Sequence, residues 1–552
     1  EPLLERFYHM LGRYGVGLQT ISPGKRWSER DTVLITYADM VQGEEGTPLA
    51  AFRKLCAERL KGAISTIHLL PFFPWSSDDG FSVIDFREVE QSYGNWEDIR
   101  ALGSEFTLMF DLVLNHCSVQ SSWFKDYVSG VEPAANYFVE AEPELDLSAV
   151  VRPRSSPLLA PIETRSGERH LWTTFSDDQV DLNWRCPDLL FEFLDIIMLY
   201  LSMGCRILRL DAVAFLWKEV GTDCLHRPQT HEVIKLLRDF LDVVAPETVL
   251  LTETNVPHEE NVSYFGKGDE AHLVYQFSLP PLLLHGLLEG SSRHLTEWAS
   301  QLAPPPKGCS YLNFTASHDG IGVRPLEGIL SPDEVRQLAT KVEGRGGHVS
   351  MRSGTEGEDV PYELNVTYFD ALAEPGDDAL TEARFRCSQA VALAMQGIPA
   401  VYFHSLTGTR NDHEGVKDTG RARSINRRKW QDSELRSLLD DAESLPARVF
   451  EWYSRALRHR SACCAFHPDA PQAIHDFGPE LFVLERTALD DSQTILCLFN
   501  FTSGIIPVAD QGHLAELFPD GCTRDLLGGS ELDLPADGLE LRPYQALWLV
   551  AR

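Results

Sequence analysis

In the run GCRILRLDAVAFLWKE (204–219) an arginine and an aspartate, Arg209 and Asp211, stand two positions apart in an otherwise apolar stretch. Residues i and i+2 of a strand share a face, so the guanidinium and the carboxylate point the same way. Burying such a pair is costly, and losing one partner would strand a charge; the neighbouring cation also favours the ionised carboxylate. Other apolar runs end in groups of the same kind. Asp111, Asn115 and His116 close FTLMFDLVLNH, Glu253 lies in TVLLTETN, and His318 and Asp319 close YLNFTASHDG. Taken singly, an aspartate at a strand end is a cap and a histidine a satisfied core residue. Taken together, carboxyls, imidazoles and a guanidinium are the groups of acid–base and nucleophilic chemistry.

What could bring them together is the pattern of elements around them. Eight strand candidates, VLITYAD (33–39), ISTIHLLPFF (64–73), FTLMFDLVLNH (106–116), CRILRLDAVA (205–214), TVLLTETN (248–255), AHLVYQF (271–277), YLNFTASHDG (311–320) and IPAVYFHS (398–405), recur along the chain. Helix-period segments such as PLAAFRKLCAERLKG and DLLFEFLDIIMLYLSMG lie between them. Eight strands with mostly helical crossovers predict an α/β fold, a closed (β/α)8 TIM barrel, whose active site would sit at the C-terminal strand ends.

The expected division is a barrel made of 1–116, 186–320 and 375–463, the first part carrying an N-terminal extension. Subdomains would be inserted after strand three (117–185) and strand seven (321–374), and a C-terminal β-sandwich would occupy 464–552. Within the second insert, GRGGHVSMRSGTEGEDVPYE is Gly-rich and acidic and reads as a mobile loop.

Composition, 43% hydrophobic and 24% charged, is that of a globular protein, and the net charge of −33 argues against nucleic acid or an anionic membrane as partner. The eleven cysteines form no CxxC or metal-like spacing and read as reduced core thiols, as in a cytoplasmic protein. The first residues, EPLLERFYHMLGRYG, read as an amphipathic helix and lack the pattern of a signal peptide. No run approaches the ~20 apolar residues of a membrane span.

DLVLNH (111–116), RILRLDAVA (206–214), TETN (252–255) and FTASHDG (314–320) resemble the four signature regions of the α-amylase superfamily, glycoside hydrolase family 13. The resemblance implies Asp211 as nucleophile, Glu253 as general acid/base and Asp319 as transition-state stabiliser, with His116, Arg209 and His318 holding the sugar in the −1 subsite. The physics agrees. A retaining glycosidase sets one ionised carboxylate against the anomeric carbon and one protonated carboxyl against the leaving oxygen. The charge on Asp211 would raise the Glu253 pKa, and glycosylation of Asp211 would lower it again.

Other stretches resemble the sucrose phosphorylase subfamily. WSSDDGF (75–81) would supply Asp78, to bind the far hydroxyls of one glucose, and Phe81, to stack on its ring; FSDDQVDLN (175–183) would supply Gln179, and TGTRNDHEGVKDTGRARSINR (407–427) Arg427. The run GRARSINRRK offers Arg421, Arg423, Arg427, Arg428 and Lys429 as a basic island suited to phosphate. The N-terminal extension, LWKEVGTDCLHRPQTH (216–231) and VPYELNVT (360–367) resemble the glucosylglycerate phosphorylase subgroup. The resemblance therefore implies a retaining phosphorylase converting 2-O-α-D-glucosyl-D-glycerate and phosphate to α-D-glucose 1-phosphate and D-glycerate. Alternatives are phosphorylases of sucrose, sucrose 6-phosphate or glucosylglycerol, then an α-glucoside hydrolase or transglucosylase. It implies small-molecule partners only, a monomer or homodimer, and no organic or redox cofactor. With no Asp/Asn loop of calcium-ligand spacing, no metal is expected either.

Overall fold

The structure, a computed structural model, describes residues 2–14, 26–153, 156–353, 359–508, 511–534 and 538–551. Eight strands form a closed barrel: β1 (Val33–Thr36), β2 (Thr66–Leu69), β3 (Thr107–Val113), β4 (Cys205–Asp211), β5 (Val249–Thr252), β6 (Leu273–Tyr275), β7 (Ser310–Asn313) and β8 (Ile398–Tyr402). Each pairs in parallel with its neighbours in chain order, and β8 closes on β1. A parallel strand covered on both faces has no polar side, so it reads as a continuous apolar run. β1, β2, β5, β7 and β8 are buried along their whole length.

The crossover helices start where local chemistry lets them. Pro48–Arg59, Pro187–Ser202 and Pro228–Val244 each place proline in the first turn, where its missing N–H costs nothing. Thr47 also accepts from Ala50 N. Pro187–Ser202 turns Leu189, Phe193, Leu194, Ile197 and Tyr200 onto the barrel.

After β3 the chain makes a helix, Ser122–Ser129, and an antiparallel hairpin, Leu159–Thr164 with Gly167–Trp172. It returns through Gln179–Asp181, which pairs with His116–Ser118 at the barrel mouth. After β7, helix Pro332–Glu343 lies between the first strand and the other two of a three-stranded antiparallel sheet of Ile321–Gly322, Asp359–Asn365 and His348–Ser353. The stretch expected to be a mobile loop is thus largely two paired strands. Its glycines drew the reading towards a loop, but β-branched and long side chains on either side of them sustain the ladder. Residues 354–358 of that stretch lie outside the described residues.

Beyond the barrel lies a six-stranded antiparallel sheet of β9 (Gln472–His475), β10 (Leu481–Thr487), β11 (Thr494–Asn500), β12 (Cys522–Asp525), β13 (Ser530–Asp533) and β14 (Ala546–Ala551). Alternation splits its faces. Phe482, Leu484, Cys497, Phe499 and Trp548 join the barrel core. Leu481, Val483, Leu496, Leu498, Leu547 and Leu549 pack with Leu514 of helix Gln511–Leu517 in a second, smaller core. Nine of the eleven cysteines are buried, and all eleven are free thiols. Among the described residues no helix is long and apolar enough to cross a membrane.

Candidate active site

A cavity of about 290 Å³ opens at the C-terminal ends of the barrel strands. Asp211 at the end of β4, Glu253 just past β5 and Asp319 beyond β7 all line it. So do Asp78, Phe81, His116, Gln179 and His318. Residues drawn from more than two hundred positions of sequence therefore meet in one space.

Arg209 does not line the cavity but lies beneath it, 3% exposed. Its Nη1 donates to Asp211 Oδ1 at 2.7 Å and also to Asp111, while its Nη2 stands 4.0 Å from Glu253 Oε2. Asp111 is in turn gripped by His68 Nε2 at 2.7 Å. One guanidinium therefore faces three carboxylates from beneath the cavity, whereas the resemblance placed it against the sugar.

Directly after Asp211 the backbone turns left-handed at Ala212, φ 49°, an unfavourable state for a residue with a Cβ. The turn sends the Ala212 N–H to Glu253 Oε2 at 3.0 Å. Burial pushes the Asp211 carboxyl well above the usual range, and the attraction of Arg209 only partly offsets it, with Glu253 adding to the rise. Glu253 is raised too, by burial first, against Arg209 and with help from Asp319. Arg209 alone thus does not keep Asp211 in the ordinary carboxylate range. Asp319 behaves differently: burial would raise it, but the guanidinium charges of Arg423, Arg427 and Arg209 outweigh burial and hold it well below the ordinary value. Burial pushes His318 down to about 3 and lowers His116, so both imidazoles are neutral at physiological pH. Neutral imidazoles can hydrogen-bond hydroxyls without competing for the negative charge.

The WSSDDGF loop is held by a serine cage. Ser76 and Ser82 donate to Asp178 Oδ2 at 2.6 and 2.8 Å, and Ser118 donates to Oδ1 at 3.3 Å. Asp78, Asp79 and Gly80 then run left-handed in succession, φ 54°, 49° and 111°. A Cβ at Gly80 would meet the Pro71 carbonyl oxygen at 2.6 Å, so only glycine fits. The turn brings Asp78 within 3.2 Å of Gln179 Nε2, which is 3.1 Å from His116 Nε2. The Phe81 ring stacks on His318 at 4.9 Å and 7°.

Arg427 also lies outside the cavity lining. Its Nε donates to the His318 carbonyl at 2.8 Å, it pairs with Asp79, and its Nη2 is 3.7 Å from Asp319. The basic island expected around it is mostly neutralised. Arg428 pairs with Glu434, Lys429 with Asp39, and Arg421 lies 3.7 Å from Asp79. Arg423 alone of that run lines the cavity. The stretch 216–231 does not line it either; instead Lys218 reaches Asn115 and Asp181 at 2.6 Å, bracing the turn that carries His116. From 360–367, Tyr362 and Glu363 do line it.

The alpha amylase catalytic domain family matches residues 61–297. A glucosylglycerate phosphorylase of Escherichia coli (strain K12) is 44% identical over 528 residues, covering 95% of this chain and 92% of that protein. The chain belongs to the α-amylase superfamily, in its sucrose phosphorylase subfamily. A sucrose phosphorylase of Streptococcus mutans is 30% identical across 84% of this chain and 93% of its own. In three dimensions, the crystal structure of a sucrose 6F-phosphate phosphorylase from Thermoanaerobacter thermosaccharolyticum matches with a TM-score of 0.75 at 24% identity, covering 88% of this chain and 95% of that one.

In this member of the superfamily the cavity also receives four arginines: Arg152 from the first insert, Arg324 and Arg352 from the second, and Arg423 after β8. Sequence reasoning missed Arg152, Arg324 and Arg352, which stand in no signature motif; Arg324, five residues past Asp319, had position as its only signal. Arg423 connects two walls. It lies 2.7 Å from Asp319 Oδ1 and forks onto Glu363 at 2.9 and 2.6 Å. Glu363 is 3% exposed. Replacing Arg423 by Gln would leave that carboxylate buried and unpaired. We expect a loss of about 3 kcal/mol in unfolding free energy, the low end for breaking a buried ion pair, since the Arg423 side chain is 25% exposed. Denaturant unfolding at neutral pH measures it, and a loss below about 1 kcal/mol, as for a surface pair, would refute it.

Proposed function

We propose that this chain is a retaining glycoside phosphorylase that converts 2-O-α-D-glucosyl-D-glycerate and phosphate, reversibly, to α-D-glucose 1-phosphate and D-glycerate. The observation that carries the chemistry is the meeting of Asp211, Glu253 and Asp319 around one cavity that also receives Arg152, Arg324, Arg352 and Arg423. The likeness to glucosylglycerate phosphorylases across nearly the whole chain supports the choice of acceptor.

Asp211 is the nucleophile. It and Glu253 share a desolvated space that disfavours two negative charges. Burial raises both carboxyls, so the pair holds one shared proton; Arg209, donating to Asp211 at 2.7 Å but 4.0 Å from Glu253, favours the arrangement with the charge on Asp211 and the proton on Glu253. Asp211 attacks the anomeric carbon as the bond to the glycerate oxygen breaks, and Glu253 gives that oxygen its proton. An oxygen of hydrogen phosphate then attacks the same carbon, the Asp211 carboxylate leaves, and the phosphate's proton passes to Glu253, so that α-D-glucose 1-phosphate departs and the enzyme is restored. Asp319, kept anionic, faces the positive charge that develops on the ring. His116, His318, Asp78 and Gln179 hold the glucose hydroxyls, and Phe81 lies under the ring. Arg209 and Arg427 act from behind as positioning residues. Phosphate and glycerate are both small anions, and the arginines can recognise either.

The inserts 117–185 and 321–374 are separate subdomains in this reading, one supplying Gln179 and Arg152, the other Arg324, Arg352 and Tyr362. Residues 464–552 are a C-terminal domain away from the chemistry. The enzyme works on small molecules in the cytoplasm, as a monomer or homodimer. Neither nucleic acid nor a membrane is its partner, as the charge of −33 suggests.

Purified protein offered glucosylglycerate, sucrose and glucosylglycerol side by side with phosphate should release glucose 1-phosphate from the first at least about tenfold faster, a difference of about 1.4 kcal/mol in the barrier. Equal rates on sucrose would remove the acceptor assignment. Free glucose in place of glucose 1-phosphate would make the enzyme a hydrolase.

A further inference from the structure

On the C-terminal sheet β9 and β10 run antiparallel, with Ala473 opposite Glu485. His475, two residues along β9 from Ala473, therefore shares the face of Glu485. That face carries the smaller core, and helix Gln511–Leu517 lies across it through Leu514. One residue before Leu514, His513 comes down onto the same spot. The result is a three-way convergence: His475 Nε2 is 3.3 Å and His513 Nε2 3.1 Å from the same oxygen, Glu485 Oε2. The two imidazole rings are 4.4 Å apart, and the three candidate ligand atoms lie within 4.8 Å of one another. Phe477 covers both rings, at 6.1 and 6.0 Å. None of these residues lines the barrel cavity.

We propose that His475, Glu485 and His513 bind a divalent transition-metal ion of the zinc type, which ties the helix Gln511–Leu517 to the sheet. Two imidazoles and a carboxylate are a donor set such ions favour. The spacing suits them too: metal–ligand bonds of about 2.0–2.1 Å in a tetrahedron put neighbouring ligand atoms roughly 3.3 Å apart, and the two nitrogen–oxygen edges are 3.3 and 3.1 Å. A purely hydrogen-bonded trio accounts for the arrangement less well. His513 Nε2 lies at hydrogen-bond distance from Glu485, but His475 Nε2, sealed from solvent, faces the same oxygen at 3.3 Å outside hydrogen-bond geometry. Water would take the fourth position. Ligation requires both imidazoles to present a bare Nε2, so uptake of the ion displaces any proton there.

The test uses the full chain, stripped with a chelator and dialysed, and the metal alone as probe. Calorimetric titration with Zn²⁺ should show a single tight equivalent, and Co²⁺ should give the visible absorption of a tetrahedral ion. H475A and H513A should each lose that equivalent and that spectrum, while E485Q weakens binding at least about tenfold, no less than loss of an outer-shell partner does. Zn²⁺ should also raise the melting temperature of the wild type but not of H513A. Absence of a Co²⁺ spectrum and of a tight Zn²⁺ equivalent in the wild type would overturn the proposal without any variant being needed. An equivalent that persists in both H475A and H513A would overturn it as well.

Discussion

Asp211→Asn should lower phosphorolysis of glucosylglycerate by about 10⁴-fold or more, roughly 5.5 kcal/mol in the barrier, while leaving the protein at least as stable as the wild type. The amide has the shape of the carboxylate but is a far weaker nucleophile, so the covalent route closes. Arg209 keeps its pair with Asp111, so the guanidinium is not stranded, and the amide oxygen can still accept from Nη1. Stability should not fall, because the wild-type carboxyl is one that burial pushes well above its usual range. A carboxyl raised on folding binds its proton more tightly in the native state. Its contribution is therefore fully present below the unfolded value of about 3.9, and is lost as pH rises from there through the folded value. The Asn variant, with nothing to ionise, lacks that loss. Melting curves at acid and neutral pH beside initial rates measure both halves. Turnover at near wild-type rate would show that Asp211 is not the nucleophile, and a melting temperature well below that of the wild type at neutral pH would overturn the stability half.

How far could this have been read from the chain alone? The barrel could, because parallel strands buried on both faces leave uninterrupted apolar runs such as TVLL and IPAVY. The carboxylates could as well, because each follows such a run by a few residues. The electrostatic partners could not. Arg427 meets Asp79 across 348 positions, and Arg423 meets Glu363 across 60. An ion pair between distant segments leaves no periodic trace, so GRARSINRRK looked like a cluster of available cations when its charges were already committed. Asp111 shows the converse. It stood in plain view at a strand end, but that it shares Arg209 with Asp211 follows only from the register of β3 on β4, which sets Asp111 beside Arg209 and Val113 beside Asp211. The strands around 348–365 were missed because glycines and acidic residues suggest a loop locally, whereas His348–Ser353 and Asp359–Asn365 pair with each other as a hairpin and Ile321–Gly322, some forty residues away, adds a third strand beside the latter.

That electrostatic layout leads to a sharper test of the second carboxyl. Glu253→Gln should lower phosphorolysis of glucosylglycerate by about 10²–10⁴-fold, the span of general acid catalysis, yet leave phosphorolysis of α-glucosyl fluoride within about tenfold of wild type. The glycerate oxygen is a poor leaving group without a proton. Fluoride departs without one, so the first step no longer needs the acid. In the second step phosphate arrives already anionic and needs little help from a base, whereas water does; hydrolysis of the same fluoride should therefore fall. The amide keeps an oxygen for the Ala212 N–H that Glu253 Oε2 accepts at 3.0 Å, so the left-handed turn after Asp211 survives. The pH profile gives an independent reading. Because burial raises both the Asp211 and the Glu253 carboxyls, wild-type activity on glucosylglycerate should fade on the alkaline side as the pair loses its one shared proton, and on the acid side as the pair gains a second. With the fluoride and the Gln variant the alkaline decline should vanish and the acid one remain. Equal losses on both donors, with the alkaline limb unchanged, would mean that Glu253 positions the Ala212 turn and that the proton comes from another group.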